Sequence, residues 1–197
     1  MHPIPQTLPV FAPDEFSLAT DLLAAKVATM LGRKLEEDDW DFVYCNAKSI
    51  PRTDWSNLSI DVNHQGLGVE HKTLRVNKSG PIKNECGTTK MHPAGTRSIR
   101  IPQGEENPNI VLEEVFKQYQ ELIELRTESV RVESPNQTVD MRMGWLLWKT
   151  ELDEFLYFEE PMTSPVTENF YAEWAITPPR GARKGSKSLW VYEKATG

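Results

Sequence analysis

Apolar residues recur at Phe16, Ala19, Leu23, Val27 and Met30, at spacings of three and four. That spacing predicts an amphipathic helix over 14–33, with Asp14 as N-cap and Gly32 at its end. After a polar Glu-Glu-Asp-Asp at 36–39, the run Trp40-Asp-Phe-Val-Tyr-Cys45 reads as a first strand. Leu58, Ile60 and Val62 alternate with polar residues, which predicts a second strand. Asn63-His-Gln-Gly66 is turn chemistry, and Leu67 to Val76 reads as a third strand.

Residues 77–108 are rich in Gly, Pro, Lys and Asn and predict a long loop, with room for a short strand at 97–101. Loops of that length are often functional. A second helix is expected over 109–126, with Leu112, Val115, Phe116, Tyr119, Leu122 and Ile123 on one face and Pro108 suited to its first turn. Strands are expected at 141–149, 155–158, 170–177 and 188–193. The order is helix, three strands, helix, strand and a β-rich tail. It predicts a mixed α/β (α+β) fold, a central sheet flanked by helices. We read 1–197 as one domain, with a core over about 14–149 and a β-rich C-terminal extension over about 150–197.

Composition narrows the class. The chain has 197 residues, is 39% hydrophobic and 26% charged, and carries a formal charge of −7. It is neither a disordered tail nor a membrane-spanning sequence, since no apolar run approaches the ~20 residues a bilayer requires. The start shows no signal-peptide pattern, and two cysteines without zinc spacing suit a reducing compartment, so a cytoplasmic location is expected. The acidic total hides an asymmetry. Residues 71–104 hold seven basic side chains and one acidic, and residues 161–197 hold five basic and three acidic. Local Lys and Arg suffice for phosphate contact whatever the overall charge.

The candidate chemistry lies in Asp61 and Glu70-His-Lys72. Residues two apart on a strand share a face, so Glu70 and Lys72 project together. A hairpin between the second and third strands brings Asp61 toward Glu70. Two carboxylates so placed repel unless a cation joins them. A hard divalent ion such as Mg²⁺ takes such oxygens and phosphate oxygen as well, and a neighbouring lysine can serve an attacking water. Those are the parts of metal-assisted phosphodiester hydrolysis. The bland alternative is an edge hairpin with a surface ion pair.

Asp61, Glu70 and Lys72 resemble the Asp…Glu-x-Lys motif of the PD-(D/E)xK nuclease superfamily, in particular type II restriction endonucleases. Ile60 stands where the motif's proline would be, and this is the only Glu-x-Lys in the chain. The resemblance implies a restriction-endonuclease-like core of helix, three antiparallel strands, helix and strand. It also implies Mg²⁺ on Asp61, Glu70 and the backbone of His71, and Lys72 serving the water. Glu36 or Glu37 is a further candidate ligand from just after the first helix. The expected function is a Mg²⁺-dependent restriction endonuclease cutting double-stranded DNA at a short specific sequence. A homodimer follows if the site is palindromic. Arg97 and Arg100 in the long loop, and Arg180, Arg183, Lys184 and Lys187 between the last two strands, are the candidate DNA contacts. Trp145, Trp148, Trp174 and Trp190 are expected in the core. The alternatives are a structure-specific or repair nuclease of the same fold and a non-catalytic DNA-binding module.

Overall fold

A computed structural model describes residues 7–51, 60–77, 80–84, 99–102, 104–182 and 184–195. Among them are helices α1 (Pro13–Ala28), α2 (Glu37–Ala47) and α3 (Pro108–Glu133). The strands are β1 (Val62–His64), β2 (Leu67–Val76), β3 (Asp140–Lys149), β4 (Phe155–Pro161), β5 (Phe170–Thr177) and β6 (Ser186–Glu193). The fold is mixed α/β, with one four-stranded sheet in the order β1-β2-β3-β4 and a separate β5-β6 ribbon.

The chain divides into two compact units. One comprises residues 3–90 and 125–162, the other 1–2, 91–124 and 163–197. In the larger unit, β1 and β2 are antiparallel, β2 and β3 parallel, and β3 and β4 antiparallel. Helices α1 and α2 bury Ala19, Trp40, Val43, Tyr44 and Ala47 with Val62, Val69, Leu146 and Trp148 of the sheet. The last turns of α3 meet β2 from its other face, where Arg126 reaches Glu70 and Val130 lies over Gly68. In the smaller unit the first turns of α3 pack Val111, Leu112, Val115, Phe116 and Tyr119 against Ala172, Phe170, Trp174 and Leu189 of the ribbon.

The segment read as a first strand is a helix. Trp40, Val43, Tyr44 and Ala47 are among its buried residues, at helical spacing, and the acids at 37–39 occupy its first turn. Their charge favours a helix N-terminus, and the Asp39 carboxylate accepts the Glu36 N–H at 3.0 Å. Trp, Phe, Val and Tyr suit strands, but burial at i, i+3, i+4 and i+7 overrides that preference. The core therefore has two helices ahead of a two-strand hairpin, not one helix ahead of three antiparallel strands. The first helix starts at Pro13 with Ala12 as N-cap, whose N–H is accepted by Glu15 Oε2 at 2.8 Å, and it stops at Ala28. Ile99 to Ile101 is not a strand, while Arg97, Ser98, Leu58 and Ser59 lie outside the described residues. Trp145 and Trp148 are buried, but Trp190 is 54% exposed on the ribbon, against expectation.

Gln65 and Gly66 both have positive φ (49° and 87°) and link the paired residues His64 and Leu67. Two left-handed residues between paired strands are the type I′ hairpin turn, whose twist matches that of the strands. A Cβ on Gly66 would stand 2.6 Å from the Thr138 carbonyl oxygen. Gly66→Ala is therefore expected to destabilise the chain by about 2 kcal/mol, from the left-handed φ and the blocked approach together. Urea denaturation would read this as a lower midpoint, and an unchanged midpoint would refute it.

Candidate active site at the edge of β2

β1 is only three residues long and pairs with β2 no further than Val69. Beyond that point the β2 edge needs another acceptor for its backbone donors. Asp61, just ahead of β1, supplies one: its Oδ2 accepts the His71 N–H at 2.6 Å. The short hairpin thus fixes a carboxylate at the strand edge, between the two faces of the sheet.

Alternation sorts the motif onto those faces. Glu70 and Lys72 lie on the face that α3 meets. Lys72 Nζ is 3.1 Å from Glu70 Oε1, and Arg126 of α3 is 3.1 Å from Glu70 Oε2. Each oxygen of this buried carboxylate is thus held by a cation. Lys72 Nζ also donates to the His71 carbonyl at 2.8 Å and stands 3.5 Å from Glu37 Oε1 at the start of α2. Glu37, one of the two acids considered as an extra ligand, therefore reaches the site through Lys72. Glu36 caps α2 instead.

His71 turns to the opposite face and is fully buried. Its Nδ1 meets Asp41 Oδ1 of α2. Its ring lies edge-on to Tyr44 at 4.8 Å and Tyr157 at 5.8 Å. A Cβ at Gly144, beside His71 on β3, would collide with the Tyr157 hydroxyl and would stand 2.7 Å from His71 Cδ2. Glycine at 144 is what lets the imidazole fill this place.

Burial pushes the Asp61 carboxyl up to about 7, and the negative charges of Glu70 and Asp41 push in the same direction. For Lys72, burial acts to lower the pKa, but Glu70, Glu37 and Asp61 outweigh it and the amine is held above its ordinary value. Lys72 is therefore an ammonium at neutral pH, suited to orienting a water and offsetting phosphate charge. The Asp61 shift has a consequence for stability. Its folded pKa lies above its unfolded one, so the folded state binds the extra proton between about pH 4 and pH 7. Stability contributed by this group is present at low pH and is lost as pH rises through that window. Comparison of urea midpoints at pH 4.5 and 7.5 should show a larger loss for the wild type than for Asp61→Asn. Equal losses would refute the assignment.

The structure brings together Asp61, Glu70, His71 and Lys72. The candidate DNA contacts belong to the smaller unit. There Arg100, Arg180, Lys184 and Lys187 are exposed, Arg180 and Lys184 at the turn of the β5-β6 ribbon. Lys187 lies over the Trp174 ring at 4.0 Å. Arg97 and Arg183 lie outside the described residues.

Sequence reading missed Asp41 and Arg126. Asp41 was hidden by reading its helix as a strand. Arg126 left a usable signal, since it continues the apolar stripe of α3 between Ile123 and Val130. A charged residue at a core-facing helical position calls for a partner. No protein-family model, no curated protein and no solved structure matches this chain.

Proposed function

We propose that this chain is a Mg²⁺-dependent nuclease that hydrolyses phosphodiester bonds of double-stranded DNA at a short specific sequence, as a type II restriction endonuclease does. The observation that supports this most is the convergence of Asp61, Glu70 and Lys72 at one strand edge, with Asp61 bound to the His71 N–H and Glu70 buried. A surface ion pair on an edge hairpin would leave those groups in water. Here Glu70 is 3% exposed.

The donor set fits a divalent cation. Asp61 is a half-buried carboxylate whose charge is disfavoured by Glu70 and Asp41, and no Lys or Arg among the described residues forms an ion pair with it. Asp61, Glu70 and the His71 carbonyl are the oxygens that would hold Mg²⁺. When bound, the ion supplies Lewis-acid polarisation of the phosphate and a more acidic water. Asp61 is fixed by the His71 N–H, so its free oxygen has a set direction. Arg126 holds Glu70 from behind. Lys72 presents its ammonium between Glu70, Glu37 and the His71 carbonyl, where it orients the attacking water and balances charge on the phosphate.

Duplex contacts would come from Arg100, Arg180, Lys184 and Lys187, and a palindromic site would call for a homodimer. No helix among the described residues is long and apolar enough to cross a membrane, and the cysteine usage suits a cytoplasmic enzyme. The test is incubation with a long DNA of known sequence, with Mg²⁺ or with EDTA. Discrete fragments that require Mg²⁺ are expected. A smear or nicking moves the activity to a structure-specific or non-specific nuclease, and intact DNA at concentrations that bind it leaves a DNA-binding module.

A further inference from the structure

Asp61 separates two differently equipped faces. On one, Glu70 is already paired with Lys72 and Arg126. On the other, Asp41, Asp61 and His71 each offer a ligand atom, and these atoms lie within 4.8 Å of one another. The nearest nitrogen there belongs to an imidazole, and no ion pair with Lys or Arg reaches either aspartate among the described residues. The Lys and Arg cations of the motif therefore stand on the Glu70 face, and the two aspartates on the His71 face have none.

The surroundings of the imidazole point the same way by a separate route. His71 Nε2 is buried and has no hydrogen-bond partner among the described residues. It lies in a shell of rings, Tyr44, Tyr157 and Trp40, all roughly perpendicular to the imidazole. A neutral imidazole carries its proton on one nitrogen only. With the proton on Nδ1, Nε2 is left as a buried acceptor with no donor to meet it, which is unfavourable. With a cation on Nδ1, the proton moves to Nε2, and aromatic rings accept such an N–H. The ring shell thus matches the tautomer that a metal ion at Nδ1 would impose.

We propose that Asp41, Asp61 and the side chain of His71 form a site for a first-row transition-metal divalent ion, on the sheet face opposite Glu70 and Lys72. An imidazole with two carboxylates suits Mn²⁺, Co²⁺ or Zn²⁺, whereas Mg²⁺ favours oxygen alone. The site shares Asp61 with the proposed hydrolytic centre. Its role in cleavage rests on the nuclease reading, but its occupancy does not.

The test uses the full chain and Mn²⁺ alone, followed by electron paramagnetic resonance in a large excess of Mg²⁺. Bound Mn²⁺ is expected in the wild type, with an imidazole nitrogen coupling in the spin-echo modulation that His71→Gln removes. Asp41→Asn should weaken binding by about tenfold or more, the scale of losing one ligand or its support. Glu70→Gln should weaken it less than Asp41→Asn does. If His71→Gln does not fold, the wild-type coupling and the Asp41→Asn affinity still decide. No Mn²⁺ retained in excess Mg²⁺, no nitrogen coupling, or loss through Glu70→Gln with Asp41→Asn unaffected would each overturn the proposal. Mn²⁺ held as expected by a protein that leaves DNA intact supports this site and refutes the nuclease. Mg²⁺-dependent cleavage without Mn²⁺ retention refutes this site alone.

Discussion

Lys72→Ala is expected to lower the rate of DNA cleavage by about 10³-fold while DNA binding persists. A positioned proton-transfer or water-orienting group contributes about 10²–10⁴ in rate. In the proposed reaction the Lys72 ammonium would also offset charge that grows on the phosphate as the bond breaks, an electrostatic contribution of comparable size. A factor of 10³ corresponds to about 4 kcal/mol in the barrier. The lysine lies between three oxygens, of Glu70, of Glu37 and of the His71 carbonyl. Its removal leaves the Glu70 carboxylate with Arg126 alone, so the fold keeps one compensating charge. Single-turnover cleavage and a gel-shift assay on the same DNA separate the two effects. Cleavage within about tenfold of wild type would refute the role, because even a modest general-acid or general-base contribution exceeds that. Loss of binding together with cleavage would instead make Lys72 a DNA contact.

The largest effect on stability is expected from Arg126→Ala. Arg126 is 8% exposed and its guanidinium holds Glu70 Oε2 at 3.1 Å. Removing one partner of a buried ion pair costs about 3–5 kcal/mol, because the other charge stays behind in a medium that solvates it poorly. For a chain of this size the melting temperature should fall by about 10 °C. The long side chain also fills space over β2, so Arg126→Met tests the charge with the packing largely kept. If Arg126→Met matches the wild type in stability, the pair contributes no net energy and packing explains the alanine result. If Glu70→Gln restores the melting temperature of Arg126→Ala, the cost was the stranded carboxylate. A shift under about 2 °C for Arg126→Ala would show that Lys72 alone compensates Glu70.

Those residues show which parts of the site a linear reading captures. The trio Asp61, Glu70 and Lys72 is confined to a twelve-residue span with turn residues in its middle. Strand alternation and turn chemistry act over that range, so local rules placed β2 at Leu67–Val76, although β1 is Val62–His64 where the second strand was expected at 58–62 and the turn at 63–66. The error at 40–45 has a local cause as well. Trp, Phe, Val, Tyr and Cys favour strands by propensity, and the segment is short enough for either periodicity to be read into it. What decided it was burial of Trp40, Val43, Tyr44 and Ala47 against the sheet, which is tertiary information. The partners of the motif come from far along the chain, Asp41 thirty residues before His71 and Arg126 more than fifty after Lys72. No spacing rule joins residues across a sheet and two helices. The burial that raises the Asp61 carboxyl to about 7, and the distant Asp41 charge that adds to it, belong to the folded chain, so the motif was visible while its electrostatics were not.

The parallel pairing of β2 with β3 sets an order of events in folding. Antiparallel β1 and β2 close through a two-residue turn, an event of microseconds. β3 reaches β2 only after residues 77–139 have been laid out, and closing so long a connection costs entropy before any contact offsets it. During synthesis, Asp61, Glu70 and Lys72 therefore become neighbours before the sheet that buries Glu70 is complete. The aromatic shell of His71, one ring of three delivered by Tyr157 on β4, closes only when the last strands of the sheet dock. The hairpin thus precedes its sheet, and the surroundings that push the Asp61 carboxyl up are complete only when that sheet is.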